Sequence, residues 1–149
     1  MRYCAFLLGA RMGSEMNLRY SIDKQRRLIL TTAEGRVMFD DIKGHQDRLL
    51  ANPDFDPSFD QLIDATAATN LEISADEARA LANRRIFSPK SRRAFVATEP
   101  HIFGLGRMME IYHEDLKCAD VHVFSSMDAA LNWLERVERE EEKSWSGSG

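Results

Sequence analysis

Five cations fall within a short stretch of the chain, Arg84, Arg85, Lys90, Arg92 and Arg93. Guanidinium groups present paired N–H donors that fit carboxylate and phosphate oxygens, so this cluster is a candidate anion site. The competing reading is a solvated basic edge balanced by the acidic C-terminal tail. Arg107 is a second candidate, because it lies soon after Pro100-His101-Ile102-Phe103, where a strand gives way to a helix, and open α/β sheets bind ligands at strand carboxyl ends. An exposed, idle arginine is the alternative. General acid–base chemistry has only Asp64, Glu99, His101 and His113 as nominees, each without an evident partner.

Other chemistries find less support. His45, His101, His113 and His122 form no metal pair at helical spacing, and Glu110 with His113 supplies only two ligands. No metal and no cofactor is therefore expected. Gly104-Leu105-Gly106 lacks the third glycine of a dinucleotide fingerprint and sits within a helical pattern, so close helix packing explains it better than a phosphate loop. Cys4 and Cys118 stand far apart with no neighbouring base at a motif spacing, and no serine occupies a Gly-x-Ser-x-Gly elbow. The expectation is that the chain is not an enzyme.

The 149 residues suit one domain. Twenty basic and 24 acidic residues give a net charge of −4, which removes the usual argument for nucleic-acid or anionic-membrane binding. Residues 1–16 read as a flexible extension, with Met12 and Met16 as alternative starts to Met1; the apolar run Ala5-Phe6-Leu7-Leu8 is too short for a secretory core or a membrane span. Residues 139–149 read as a flexible tail, leaving 17–138 as the folded domain in a reducing cytoplasm.

Within the domain, strand-sized and helix-sized patterns alternate. Leu18, Tyr20 and Ile22 alternate with polar residues in a half-buried strand, and Arg27 to Ala33 forms the second arm of a hairpin, lying deeper in the sheet, before Glu34-Gly35-Arg36 breaks the run. A helix follows from Phe39 to Leu50, facing inward through Phe39, Ile42, Leu49 and Leu50. Its first turn carries Asp40 and Asp41, where the helix dipole favours negative charge. Pro53 to Phe59 is a loop anchored by its two phenylalanines, and Gln61 to Ala65 is a strand. Ser74-Ala75-Asp76-Glu77 is a capping box that opens a helix burying Ala78, Leu81 and Ala82. The strand Arg93 to Thr98 leads into a helix with Ile102, Leu105, Met108, Met109, Tyr112 and Leu116 inward. Asp120 to Phe124 is the last strand, and a final helix buries Ala130, Leu131, Leu134 and Val137. The order is ββαβαβαβα, an α/β fold with a mixed, mostly parallel sheet covered by helices.

Three segments carry a resemblance: Phe55-Asp56-Pro57-Ser58-Phe59-Asp60-Gln61-Leu62-Ile63-Asp64, Phe87-Ser88-Pro89-x-Ser91-Arg92-Arg93-Ala94, and Phe103-Gly104-Leu105-x-Arg107-Met108. With the element order, the chain from about Leu18 to Val137 resembles the bacterial STAS-like proteins, related to anti-sigma-factor antagonists and sometimes grouped with Sec14-like lipid-binding domains. That resemblance implies a STAS-like fold, a kinase-like partner of the anti-sigma-factor type, and Asp64 and Ser74 as the positions matching the antagonists' strand-end aspartate and phosphorylated serine. The antagonists' Asp-Ser-Ser-Gly is replaced here by Glu72-Ile73-Ser74-Ala75, which favours plain N-capping by Ser74 over phosphorylation.

Two functions remain in view. The first is a non-enzymatic regulatory or protein-interaction domain working through the loop from Ala65 to Ser74 and the following helix, with homodimerisation a further possibility. The second is a carrier of a lipid or small anionic ligand. Its pocket would lie between the sheet and the 101–117 helix, lined by Phe103, Met108, Met109 and Tyr112 and headed by Arg107 or by Arg92 and Arg93.

Overall fold

The computed structural model describes residues 17–116 and 120–135. The expectations about the leader, Cys4, Cys118, Val137 and the 139–149 tail lie outside the described residues. The elements run β1 (Leu18–Asp23), β2 (Leu28–Met38), α1 (Phe39–Ala51), β3 (Asp60–Glu72), α2 (Ala75–Asn83), β4 (Arg92–Val96), α3 (Pro100–Leu116) and β5 (Asp120–Phe124). A last helix, α4, covers residues 127–135. This is the expected ββαβαβαβα order.

The sheet order is β1-β2-β3-β4-β5. The β1–β2 hairpin is antiparallel, and every later pair is parallel. Right-handed crossovers between strands that follow one another in space place their helices on one face of the sheet. Accordingly α1 packs on α2 and α2 on α3. The opposite face is covered by α4, which sets Ala130 and Leu134 against Leu62, Ala94 and Val96.

Strand pairing sorts the side chains into rows across the inner face, the one beneath α1 to α3. Ile29, Gln61, Arg93 and Val121 share one row, and Thr31, Ile63, Phe95 and Val123 the next. The core beneath the helices contains Ile29, Leu49 and Ile102 at full burial. Each contributes about 1.5–3 kcal/mol by leaving water. Phe59 is buried in the same core, and Phe55 meets the Phe87 ring edge-on at 5.5 Å, so the proline-punctuated loop is anchored as expected.

Gly35 does not end β2. It takes φ +66°, a conformation glycine adopts without steric cost. The register slips on either side of it, between Thr32 and Glu34 and between Gly35 and Arg36. The strand then continues, pairing Arg36 with Asn70 and Met38 with Glu72. The segment expected as a loop from Ala65 is consequently β-structure as far as Glu72, a bulged arm extending the two central strands.

The inner faces of two helices also differ from expectation. On α1, His45 is buried while Leu50 is 53 % exposed, because the contacting stripe follows Ile42, His45 and Leu49. On α3 it follows Ile102, Gly106, Met109 and His113, with Ile102, Gly106 and His113 buried. A side chain on Gly106 would place its Cβ 2.9 Å from Val123 Cγ2 and 3.0 Å from Phe95 Cδ1, whereas Gly104 faces open space. Close packing against β4 and β5 is therefore the role of Gly106.

Candidate functional site: a cavity between the sheet and three helices

The inner face encloses a cavity of about 110 Å³ between β1–β5 and helices α1, α2 and α3. Its chemistry changes along the strands. Towards the carboxyl ends and the bulged arm the walls are Ala33, Val37, Ala65, Ala68 and Leu71, with Ile42 and Ile102 from the helices. Towards the amino ends they are Thr31, Gln61 and Arg93 from the sheet, with His45, Gln46 and His113 from α1 and α3.

The polar walls form a continuous chain. His113 Nδ1 lies 2.9 Å from the Met109 carbonyl, one turn back on α3. A carbonyl only accepts, so the Nδ1 proton is donated there and Nε2 carries the lone pair. Arg93 Nη1, 3.3 Å away, donates to that Nε2. Arg93 Nε donates to Gln61 Oε1 at 2.9 Å, which orients the amide so that Gln61 Nε2 donates to Thr31 Oγ1 at 2.8 Å. The Thr31 hydroxyl lies 3.3 Å from His45 Nε2 and hydrogen-bonds to that nitrogen. The other ring nitrogen of His45, Nδ1, is buried with no hydrogen-bond partner.

Electrostatics keep both imidazoles neutral. Burial pushes His45 down to about 4, helped by the charges of Arg48 and Arg93. Burial likewise pushes His113 down to about 4, with the Arg93 charge adding to it and the bond to the Met109 carbonyl opposing it. Arg93 stacks over the Phe87 ring, its guanidinium carbon 4.6 Å from the centroid, so the ring face accepts part of its charge. A recess of about 10 Å³ shares Gln46, Phe87, Arg93 and His113 with the cavity. Arg93 thus lines both.

The residues singled out from sequence are dispersed. Arg93 lines the cavity, but Arg92, its neighbour on β4, faces the other side of the sheet. Its backbone N–H donates to Asp60 Oδ1 at 2.9 Å and its Nη1 to the Lys90 carbonyl at 3.2 Å. Alternation along a strand separates any such adjacent pair. Phe103 packs at the edge of the apolar cluster around Ala33, Val37 and Ile102. Arg107 is exposed, with Glu110 Oε1 3.9 Å from its Nε. Arg84 leaves the proposed cluster to bind α1 through Gln46 Oε1 at 2.9 Å and Asp47.

Asp64 accepts from the backbone N–H and hydroxyl of Thr66 at 3.0 and 2.7 Å. Ser74 caps α2: its Oγ accepts from Glu77 N at 3.1 Å while Glu77 Oε1 accepts from Ser74 N at 2.9 Å. Among the described residues no group of three or more His, Cys, Asp or Glu side chains is placed to hold a metal ion. Nor is any described helix long and apolar enough to cross a membrane.

His45, Thr31 and Gln61 were not foreseen as site residues. The signal for His45 was its place between Ile42 and Leu49 at helical spacing. For Thr31 and Gln61 it was strict alternation, which puts them on the same face as Ile29 and Ile63 respectively.

No family model and no curated protein matches the sequence. Among solved structures, the chain is similar to an uncharacterised protein of the DUF3478 family with a SpoIIAA-like fold, from Shewanella loihica PV-4. The two are 18 % identical, with a TM-score of 0.53, and the match covers 83 % of this chain and 98 % of that one. The fold is therefore SpoIIAA-like, the STAS-like architecture that the sequence resemblance implied.

Proposed function

We propose that this chain is a non-enzymatic binding domain whose inner cavity holds a small amphipathic molecule. The observation carrying this reading is the cavity itself, apolar towards the strand carboxyl ends and lined by Thr31, Gln61, Arg93, His45 and His113 at the other end. Apolar walls at one end and hydrogen-bonding groups at the other are the usual composition of a small-molecule site. The size favours a small body over a long-chain lipid, since a cavity of roughly 150 Å³ accommodates benzene. Binding is favoured over catalysis because histidines held near 4 are weak bases at neutral pH.

Native mass spectrometry of the full chain purified from its own host tests the proposal. A bound mass that disappears on denaturation is the expected result. A clean apo mass, combined with no thermal shift from a library of small acids, amides and alcohols, would remove it.

The regulatory reading has one favouring observation. Ser74 is exposed at the N-cap of α2, where a phosphate dianion would meet the helix dipole and free amides. Capture of a kinase-like partner by wild-type chain, lost in Ser74→Glu, would support it; equal capture by both, or capture by neither, would count against it.

A further inference from the structure

The two outer strands of the sheet are β1 and β5, and an outer strand offers its unpaired backbone groups to any chain that can lie beside it. We propose that β1 is a self-association edge, at which two copies of this chain pair their β1 strands antiparallel about a twofold axis through Ser21.

The hydrogen bonds of the hairpin identify the groups that face outward. Glu34 N–H donates to the Asn17 carbonyl at 2.9 Å, so Asn17 and Glu34 form a hydrogen-bonded pair. The alternation of an antiparallel ladder then turns the backbone N–H and C=O of Leu18, Tyr20 and Ile22 away from β2. The Leu18 carbonyl is covered, since Arg48 Nη2 from α1 donates to it at 2.9 Å. Among the described residues nothing bonds the outward groups of Tyr20 and Ile22. The β5 edge differs: there Val123 N–H donates to the Glu110 carboxylate of α3, and a carboxylate in that position repels the carbonyls of an incoming strand.

Those groups fix the register. Placing Tyr20 opposite the partner's Ile22, and Ile22 opposite the partner's Tyr20, lets each pair exchange both of its N–H···O bonds. Centring the axis on Tyr20 instead would require the Leu18 carbonyl that Arg48 holds. Centring it on Ile22 would carry Tyr20 onto Lys24, in the hairpin turn.

The side chains suit the same register. Arg19, which also pairs with Glu34, comes opposite the partner's Asp23 at both ends of the contact, and directly opposed residues of opposite charge stabilise a ladder. On the face beneath α1, half-buried Tyr20 meets the partner's half-buried Ile22, an aromatic and β-branched pair of the kind that strengthens strand pairing. A strand with a cation and an anion placed symmetrically about its centre is complementary to itself when reversed. A second copy, rather than an unrelated strand, is therefore the occupant.

Sedimentation velocity of the full chain over a concentration series tests the association, and cysteine cross-linking tests the register. One short strand pair is a small interface, so the dimer should dissociate in the micromolar range. Asp23→Lys sets cation against cation at both ends and should weaken the dimer about tenfold. With Cys4 and Cys118 replaced by serine, Ser21→Cys should cross-link on mild oxidation much faster than Asp23→Cys. Opposed residues of a non-hydrogen-bonded pair have Cα atoms about 4.5 Å apart, within reach of a disulfide, whereas Asp23 faces the partner's Arg19. Ser21 and Asp23 are both exposed, so none of these substitutions disturbs the core.

A chain that stays monomeric throughout the series, a dimer that Asp23→Lys leaves unchanged, or cross-linking of Ser21→Cys no faster than that of Asp23→Cys would overturn the proposal.

Discussion

Thr31 on β2 and His45 on α1 face each other across the inner layer, the hydroxyl 3.3 Å from Nε2. This contact orients the imidazole, whose other nitrogen is buried without a partner. Thr31 also accepts from Gln61, so one hydroxyl holds two buried side chains in place.

The two residues should therefore respond unequally to substitution. Thr31→Val keeps the shape but leaves both His45 Nε2 and Gln61 Nε2 without a partner, and should cost about 2 kcal/mol or more. His45→Leu removes the unsatisfied Nδ1 together with the bond to Thr31, so the two effects offset and the loss should be about 1 kcal/mol or less. Urea unfolding of the two variants with equal m-values checks this ordering.

Stability should fall as the solution is acidified from pH 6.5 towards 4. His45 and His113 are each pushed down to about 4 in the folded chain, against about 6.5 when unfolded. Between those values the unfolded state binds more protons, so stability is fully present above about pH 6.5 and is lost as pH falls through the folded pKa. At about 1.36 kcal/mol for each pKa unit, the loss is on the order of 3 kcal/mol per histidine. Thermal melts across this range should show the slope, and His45→Leu should flatten it by about half.

The two glycines of α3 should part in opposite directions. Gly106→Ala drives a Cβ to 2.9 Å from Val123 and 3.0 Å from Phe95, and overpacking of this kind costs about 1–3 kcal/mol. Gly104→Ala meets nothing within 4 Å and should stabilise the helix by about 0.5–1 kcal/mol. Melting temperatures displaced to either side of the wild type would bear this out.

Ser74→Ala breaks the capping box of α2 and should cost about 1 kcal/mol. Ser74→Asp retains an acceptor for the Glu77 N–H and places negative charge at the positive end of the dipole, so it should stay within about 0.5 kcal/mol of wild type. Chemical denaturation separates the two. A cost for Ser74→Asp equal to that of Ser74→Ala would show that the cap geometry tolerates only the hydroxyl.

Much of the fold could be read along the chain because its signals are local. Alternation of Leu18, Tyr20 and Ile22, the Ser74-x-x-Glu77 box, and the spacing of Ala78, Leu81 and Ala82 depend on residues within one or two turns of each other, and the structure contains each feature. Gly35 misled for the same reason: as a local signal glycine marks a break, but a neighbouring strand supplies the hydrogen bonds that carry β2 through a bulge.

The cavity belongs to the other category. Thr31, His45, Gln61, Arg93 and His113 come from five different elements, and nothing in their sequence separation links them. Sequence alone determined which side chains can donate, accept or carry charge, and the periodicity that turns each towards a core. Only the tertiary structure decided that these five meet. Strand order, crossover hand and register set which rows become neighbours, and burial among those neighbours makes the histidines neutral and leaves one of their nitrogens unsatisfied.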